Sequence, residues 1–263
     1  MRRWNQLAEE KGLLLLAPSL ESTRITLSAD TDRQITRLRG DEAHILAALN
    51  HVRAGYTVSP DRIFIHGVAR GAHAALYTGL RNPGIFRTVS IADPKFDSAC
   101  LESEVTVDPY QSIFVGFATS DIITGKHGRN AVDWLRSVAA DVHEASAGYT
   151  TGRAERRTVD FIEDALRNHP WIQIHAVPIG PDQPLVVRFT VRASFRPAAH
   201  DWRFDNGDRS PVPQPTHTYT AVGRFPLTLT LRDPNGRSFQ RAATITLPGA
   251  HVQSALATDP SDK

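Results

Sequence analysis

The hydrophobic and polar positions divide the chain into two parts with different periodicity. From residue 1 to about 170, short apolar runs alternate with longer stretches in which apolar residues recur at helical spacing. The apolar runs predict strands at 12–17, 62–66, 86–91, 112–117 and 141–145. The helical spacing predicts helices at 41–53, 72–80, 130–139 and 154–166. Apolar strands that alternate with helices are typical of a mostly parallel sheet buried on both faces, so this part is predicted to be an α/β domain.

After Pro170 the helical spacing stops and apolar and polar residues alternate. Alternating stretches lie at 186–191, 224–231 and 239–247, with turn-forming clusters at 205–208 and 233–236. Short alternating strands between turns predict a small β-sandwich. The sequence therefore predicts an α/β domain over 1–170, an all-β domain over 171–249 and a frayed polar tail over 250–263.

Composition narrows the classes of function. Hydrophobic residues make up 41% of the 263 residues, charged residues 22%, and the net charge is +2. These values are ordinary for a globular protein, and they do not point to nucleic acid or to an anionic membrane as a partner. No apolar run approaches the ~20 residues of a membrane span, and the first residues lack the apolar core of a secretory signal. Cys100 is the single cysteine, so no disulfide can form within the chain. No motif demands a cofactor or a metal, and neither is predicted.

Candidate chemistry centres on Gly67–Gly71, which reads Gly-Val-Ala-Arg-Gly. This is the G-x-S-x-G frame of a serine hydrolase, placed between a predicted strand and a predicted helix as the nucleophile elbow requires. Ala69 stands where the serine would be. Alanine has no oxygen to attack a carbonyl carbon and no proton for a histidine to take.

A family resemblance extends this pattern over roughly residues 1–167. It rests on Trp4, Leu7-Ala8, Lys11-Gly12 and Pro18, then on Ser59–Phe64, the Gly67–Gly71 frame, Asn82-Pro83 and Phe86. In order and spacing these residues resemble an α/β-hydrolase, closest to the polyhydroxybutyrate-depolymerase and feruloyl-esterase-like carboxylesterases. The resemblance implies that Ala69 holds the place of the nucleophile, Asp121 that of the triad acid and Tyr149, within 147–151, that of the histidine. A phenol with a pKa near ~10 is a poor base at neutral pH, and Asp121 would have no histidine to orient.

The resemblance also implies an incomplete oxyanion hole. The backbone N–H of Arg70 would supply one donor, while the other comes from a loop that precedes the first helix of this chain. The family's strand order would place the missing strand between 12–17 and 62–66. We therefore expect that Met1 is not the start of the ancestral domain, through a misassigned start, a truncated gene or a strand supplied by a partner. Relatives are typically exported, but this chain shows no export signal, so its localisation stays open.

Other residues offer alternative chemistry. Six histidines are potential substitutes for the base: His66, His73, His127, His143, His169 and His175. The two that flank the elbow, His66 and His73, are more simply explained as core or surface residues. Cys100 and Ser120 are potential substitute nucleophiles, but neither lies at an elbow. Asp121 could equally be an acid in a surface loop.

The second part resembles a PKD domain, an immunoglobulin-like β-sandwich, over roughly 172–248. The resemblance rests on Trp202–Gly207, Thr216–Tyr219, Gly223–Phe225 and Leu229–Leu231, with Asp-Asn-Gly replacing the usual Gly-Asp-Gly after the first aromatic pair. Trp202 and Tyr219 are interpreted as core residues rather than as an aromatic binding face. Asp205, Asn206 and Asp208 lack the spacing of a calcium loop and are interpreted as a turn. Such domains resemble adhesion or spacer modules.

Three functional hypotheses remain. The first is a catalytically inactive esterase-like protein whose PKD module has a binding or structural role, with a polymer, carbohydrate or protein as ligand. The second is a carboxylic-ester hydrolase, acting on a polymer or small ester through a non-standard nucleophile. The third is a truncated gene product without a function of its own.

Overall fold

The computed structural model describes residues 2–23, 30–105, 107–146, 149 and 154–255. The chain forms two compact units, Met1–His169 and Pro170–Lys263. Within the described residues, no helix combines the length and apolar character that a membrane crossing requires.

The first unit is a parallel sheet with helices on both faces. Its helices are α1 (Arg2–Lys11), α2 (Thr31–Gly55), α3 (Gly71–Arg81), α4 (Ile122–Ser137) and α5 (Ala154–Asn168), with a short 3₁₀ turn at Ser98–Cys100. Its strands are β1 (Phe64–Val68), β2 (Thr88–Ala92), β3 (Ser112–Gly116) and β4 (Asp141–Ala145), in the spatial order β1-β2-β3-β4. All three strand pairs are parallel, which confirms the predicted fold class of this part.

Successive side chains of β3 pack against helices on opposite faces of the sheet. Ile113 and Val115 belong to the main hydrophobic cluster with residues of α2, α3 and α4. Phe114, between them, packs in a second cluster with Ala154 at the start of α5. Because successive side chains of a strand point to opposite faces, α2, α3 and α4 cover one face and α5 covers the other. The carboxyl ends of all four strands then open on one edge of the unit.

The predicted strand at 12–17 is wrong. These residues form no strand, and the side chains of Leu14, Leu15 and Leu16 are 58%, 43% and 42% exposed. Within the part of the chain that the structure describes, β1 pairs only with β2 and forms an edge of the sheet. An apolar run becomes a strand only where another strand accepts its backbone hydrogen bonds, and none does so here.

The second unit is a sandwich of two antiparallel sheets. Its strands are β5 (Ile172–Pro178), β6 (Val186–Ala193), β7 (Ala199–Phe204), β8 (Arg209–Ser210), β9 (Thr216–Thr218), β10 (Gly223–Arg232), β11 (Ser238–Leu247) and β12 (His251–Ala255). One sheet has the order β12-β11-β10-β7-β8 and the other β5-β6-β9. The rings of Phe189 and Trp202, one from each sheet, lie 5.7 Å apart in the core between them. The predicted all-β architecture is confirmed.

Strand β12 corrects the prediction of a tail from residue 250. His251–Ala255 pairs antiparallel with β11, so these residues are part of the sheet. Their backbone groups are bonded although the sequence is polar, which an alternating hydrophobic pattern cannot reveal. The remainder of the predicted tail, 256–263, lies outside the described residues.

Candidate functional site

The turn between β1 and α3 has the backbone of a nucleophile elbow. Ala69 has φ +52°, in the left-handed region that costs a non-glycine residue roughly 1–2 kcal/mol. Its N–H donates to the carbonyl of Ala92 at 2.9 Å, and its carbonyl accepts from the N–H of Lys95 at 3.2 Å. These bonds hold the strained residue against the loop that follows β2, so Ala69 lies at the carboxyl edge of the sheet.

Close packing at Gly67 maintains this turn. A Cβ atom at Gly67 would lie 2.3 Å from the carbonyl oxygen of Gly71 and 2.7 Å from the Cβ of Ala75. At Gly71 a Cβ would meet nothing within 4 Å. The first glycine of the frame is therefore required by the close approach of strand and helix, and the second is not.

Arg70 occupies the N-cap position of α3. Its backbone is helical (φ −66°, ψ −31°), and its side chain makes no capping hydrogen bond. The guanidinium instead reaches the carbonyl of Thr23, with 3.4 Å between Nη1 and O. Its backbone N–H, the donor predicted for an oxyanion, follows directly on Ala69.

Asp121 caps helix α4. Its carboxylate accepts hydrogen bonds from the backbone N–H groups of Ile123 and Thr124, both at 3.2 Å, and from the Thr124 hydroxyl. The Thr124 hydroxyl, followed by the two N–H groups, lowers the pKa of Asp121. Sequence spacing placed the start of this helix at residue 130, whereas it begins at Ile122 because this cap begins it. Asp121 thus has a structural task whether or not it has a catalytic one.

Tyr149 is buried against the end of β3. A Cβ at Gly116 would lie 2.4 Å from its Cε2 atom, so the ring rests directly on that glycine. Burial, and then the charges of Asp93 and Glu155, raise the pKa of its phenol. Its hydroxyl is buried without a hydrogen-bond partner among the described residues, which exclude its neighbours 147, 148, 150 and 151. A buried phenol with a raised pKa cannot accept a proton from a nucleophile.

Asp93 is a residue at this edge that the sequence analysis missed. It follows β2 with φ +44°, and its carboxylate accepts from the N–H of Ala118 at 2.9 Å. Its own N–H donates to the carbonyl of Gly116 at 2.8 Å. The available signal was an acidic residue directly after a buried strand. These contacts bind Asp93 to the end of β3 and to the loop before Asp121, at the same edge of the sheet as Ala69.

The histidines near the elbow contact groups that are not candidate nucleophiles open to a substrate. The Nδ1 atom of His66 lies 2.9 Å from Ser90 Oγ, and burial lowers the pKa of His66 to about 4. Ser90 is fully buried within β2, so this pair is closed to a substrate. His73 Nε2 lies 2.8 Å from the carbonyl oxygen of Asp97, and His127 Nδ1 lies 3.0 Å from the carbonyl oxygen of Phe96.

A second serine–histidine contact lies at the opposite end of the sheet. His169 Nδ1 is 3.0 Å from both Ser112 Oγ and Asp141 Oδ2. In a catalytic triad the serine and the acid bind different ring nitrogens, because the base must take a proton with one while the other is oriented. Ser112 and Asp141 share one nitrogen here, so this arrangement is not a triad. His175 lies in the second unit, on β5.

The substitute nucleophiles are also unfavourable. Cys100 is buried, and burial followed by the charge of Asp97 raises its pKa to about 11, so its thiolate is scarce at neutral pH. Ser120 is exposed in the loop before α4. A groove of about 610 Å³ runs along β4 and is lined by Arg136, His143, Glu144 and Arg157 among others, but not by Ala69, Asp121 or Tyr149.

The aromatic residues of the second unit lie in its core. Trp202 is fully buried and its Nε1 donates to the carbonyl of Val212 at 3.1 Å, which confirms the core interpretation. Tyr219 is also buried. In the turn after β7, Asn206 Oδ1 accepts from the N–H of Asp208 at 3.0 Å and Gly207 has φ +88°. The turn is closed by its own hydrogen bonds.

One part of the chain matches a known protein family. Residues 170–247 match the family model of the PKD domain. The PKD1 domain of the Vibrio cholerae metalloprotease PrtV is 29% identical, with 29% of this chain and 94% of that chain covered at a TM-score of 0.26. The PKD1 domain of Vibrio anguillarum Epp is 22% identical, with 29% and 90% covered and the same TM-score of 0.26.

Two esterases are similar to the N-terminal region. The carboxylesterase of Bacillus cereus is 17% identical, with 56% of this chain and 67% of that chain covered at a TM-score of 0.37. The enterobactin esterase FES of Shigella flexneri is 16% identical at a TM-score of 0.37; 51% of this chain is covered, but only 38% of that chain. No curated protein matches the chain in sequence. Residues 170–247 thus match the PKD domain family, and the parallel-sheet unit precedes them in the chain.

Proposed function

We propose that the first unit is an esterase-like scaffold that does not hydrolyse esters by the triad route, and that the chain acts in binding or as a structural element. The observation that carries this proposal is the φ of +52° at Ala69. A serine hydrolase uses this strained backbone to present an oxygen, and here it is kept around a side chain without one.

The surroundings of Ala69 support the proposal. Tyr149, which we propose to hold the position of the base, is a buried phenol with a raised pKa. The carboxylate of Asp121 is engaged by the first turn of α4. The serine–histidine pairs of the described chain are either fully buried, as at Ser90, or share one nitrogen with the acid, as at Ser112. Among the residues that the structure describes, no nucleophile–base pair therefore faces a substrate.

Ester hydrolysis tests the proposal directly. Purified protein is assayed with p-nitrophenyl butyrate as wild type, Ala69→Ser and Asp121→Asn. We expect no turnover above buffer in any of them, because a serine at position 69 would still lack a base. Turnover by the wild type that persists through purification and is lost in Asp121→Asn would overturn the proposal. A fluorophosphonate probe adds a second readout: a labelled residue would instead support a hydrolase with a non-standard nucleophile.

We propose that the ligand is a polymer and that the PKD domain acts as an interaction or spacer module. Co-sedimentation with cellulose, chitin and polyhydroxybutyrate particles tests it, with soluble oligomers of each polymer as competitors. We expect retention on one of these polymers that its oligomers reverse. Absence of retention on all three would contradict polymer binding while leaving the inactive-scaffold proposal standing.

A further inference from the structure

Three side chains with metal-binding atoms meet at the end of the sheet away from the elbow. Asp141 and His143 lie two residues apart on β4, so they share one face of the strand. His169 follows directly on α5, and its backbone N–H still bonds to the carbonyl of Ala165 at 3.1 Å. One ligand atom from each of the three lies within 4.8 Å of the others.

The distances suit a small ion. His169 Nδ1 lies 3.0 Å from Asp141 Oδ2, and His143 Nε2 lies 3.5 Å from Asp141 Oδ1. Bonds of about 2.0–2.1 Å in a tetrahedral zinc site place neighbouring ligand atoms about 3.3 Å apart. Small side-chain rotations would therefore bring all three atoms to an ion at their centre.

One ring nitrogen faces the cluster without a hydrogen bond. His143 Nε2 lies 3.5 Å from Asp141 Oδ1 and makes no hydrogen bond with any described residue, and its side chain is 40% exposed. This nitrogen can therefore bind an ion that Asp141 and His169 also reach. The imidazole is also held in place, since its ring centroid lies 4.9 Å from that of Phe161 and 5.0 Å from that of His169.

A hydrogen bond orients the carboxylate. Ser112 is the β3 partner of Asp141 in the sheet register, and its hydroxyl donates to Asp141 Oδ2 at 3.1 Å. Partners of this kind fix the orientation of metal ligands. His169 Nδ1 lies 3.0 Å from the same carboxylate oxygen, and a bound ion would replace this direct contact.

We propose that Asp141, His143 and His169 bind one Zn²⁺ ion, which links the edge of the sheet to the end of α5. Two imidazoles and one carboxylate favour zinc over magnesium or calcium, which prefer oxygen ligands alone. Asp141 and Ser112 begin their strands, whereas Ala69 follows the end of β1, so the ion lies at the opposite edge from the elbow. Its role is structural and does not depend on the proposed function.

Isothermal titration tests the site on the full chain, after removal of any affinity tag and dialysis against a chelator. We expect one Zn²⁺ per wild-type chain, with at least ~10-fold weaker binding in His143→Gln and His169→Gln, and no comparable binding of Mg²⁺ or Ca²⁺. His51→Gln, an exposed position on α2, serves as the matched control and should bind like the wild type. Wild-type affinity in both His143→Gln and His169→Gln, or no binding by the wild type, would overturn the proposal.

Thermal unfolding gives a readout that does not depend on the titration. At about 100-fold excess over Kd, Zn²⁺ should raise the Tm of the wild type and of His51→Gln by about 5 °C. The Tm of His143→Gln should not respond, and its circular dichroism spectrum shows whether it is folded. An equal rise in His143→Gln would mean that zinc binds elsewhere and would contradict the assignment.

Discussion

At residue 69 the backbone has a strained conformation, but the side chain has no reactive group. The left-handed backbone costs free energy, and the methyl group provides no chemistry in return. At Tyr149 the ring packs against Gly116, but the hydroxyl has no hydrogen-bond partner among the described residues. Single substitutions at these two positions test the backbone strain at residue 69 and the burial of the phenol at residue 149.

Replacing Ala69 with glycine should stabilise the first unit. Glycine adopts φ +52° without a steric penalty, and its larger entropy in the unfolded state offsets only part of that gain, leaving about 0.5 kcal/mol. The midpoint of urea unfolding measures the change. Ala47→Gly, at an exposed position within α2, is the control and should cost about 1 kcal/mol. A lower midpoint for Ala69→Gly would show that the turn is not strained.

Tyr149 should make the protein sensitive to alkali. The folded-state pKa of this phenol is raised, so its contribution to stability is fully present below the unfolded value of about 10 and is lost as the pH rises above it. Tyr149→Phe should therefore lose less stability than the wild type between about pH 9 and pH 11. Urea unfolding at each pH measures this, with the exposed Tyr56→Phe as control. Identical pH profiles for wild type and Tyr149→Phe would contradict the burial of the phenol.

At the scale of elements, two junctions hold the carboxyl edge of the sheet. The β1–α3 junction depends on the close approach of Gly67 to Gly71, and the β3–α4 junction depends on the cap formed by Asp121. Each junction can be tested with a pair of substitutions, of which one should disturb the junction more than the other.

The two glycines of the Gly67–Gly71 frame should respond differently to alanine. Gly67→Ala places a methyl group 2.3 Å from a carbonyl oxygen that cannot move aside, so we expect a loss of more than about 2 kcal/mol. Gly71→Ala, in open space at the start of α3, should be neutral or slightly stabilising. The Tm values of Gly67→Ala and Gly71→Ala, each compared with the wild type, measure the two effects. Equal effects would mean that the close approach does not exist.

Asp121 should matter for stability through its capping oxygens. Asp121→Ala removes the acceptor for the N–H groups of Ile123 and Thr124 and should lower the urea midpoint, while Asp121→Asn keeps an acceptor and should lower it less. Because the pKa of Asp121 is lowered, its contribution is present above the unfolded value of about 3.9 and is lost as the pH falls through the folded value. A midpoint unchanged in Asp121→Ala would contradict the cap.

At the scale of the whole molecule, the first unit exposes apolar residues in the segment that follows α1. Leu14, Leu15 and Leu16 together form an exposed apolar run, although large apolar side chains are usually buried. Exposed apolar surface favours association between molecules.

Replacing these three leucines with serine should change solution behaviour more than stability. Each exposed substitution should alter the free energy of unfolding by no more than about 0.5 kcal/mol. Sedimentation velocity at increasing concentration should show less self-association than the wild type. A large loss of stability in the triple variant would show that the leucines are packed rather than exposed.

Sequence periodicity predicted most of the helices and strands, because buried positions recur along the chain at the spacing of a helix or of a strand. The pattern at 154–166 predicted α5, observed at Ala154–Asn168, and the alternation at 239–247 predicted β11, observed at Ser238–Leu247. The Gly67–Gly71 frame predicted the turn at Ala69, since a strand followed by a small-residue helix requires a tight reversal there. The PKD region was likewise recognised from its aromatic and turn residues.

Contacts between distant residues decided the rest. The apolar run at 12–17 has the sequence of a strand, yet no described strand pairs with it, because pairing depends on a neighbour and not on the run itself. Asp93 has only the local signal of an acidic residue after a buried strand, and its partners come from β3 and the loop after it. The cluster of Asp141, His143 and His169 has no local signal, since its members meet only where β4 and the end of α5 come together. The sequence by itself determined the two domains, most of their elements and the absence of a serine at the elbow. Only the tertiary structure decided which strands pair and which polar side chains meet, because both depend on chain segments that the fold brings together.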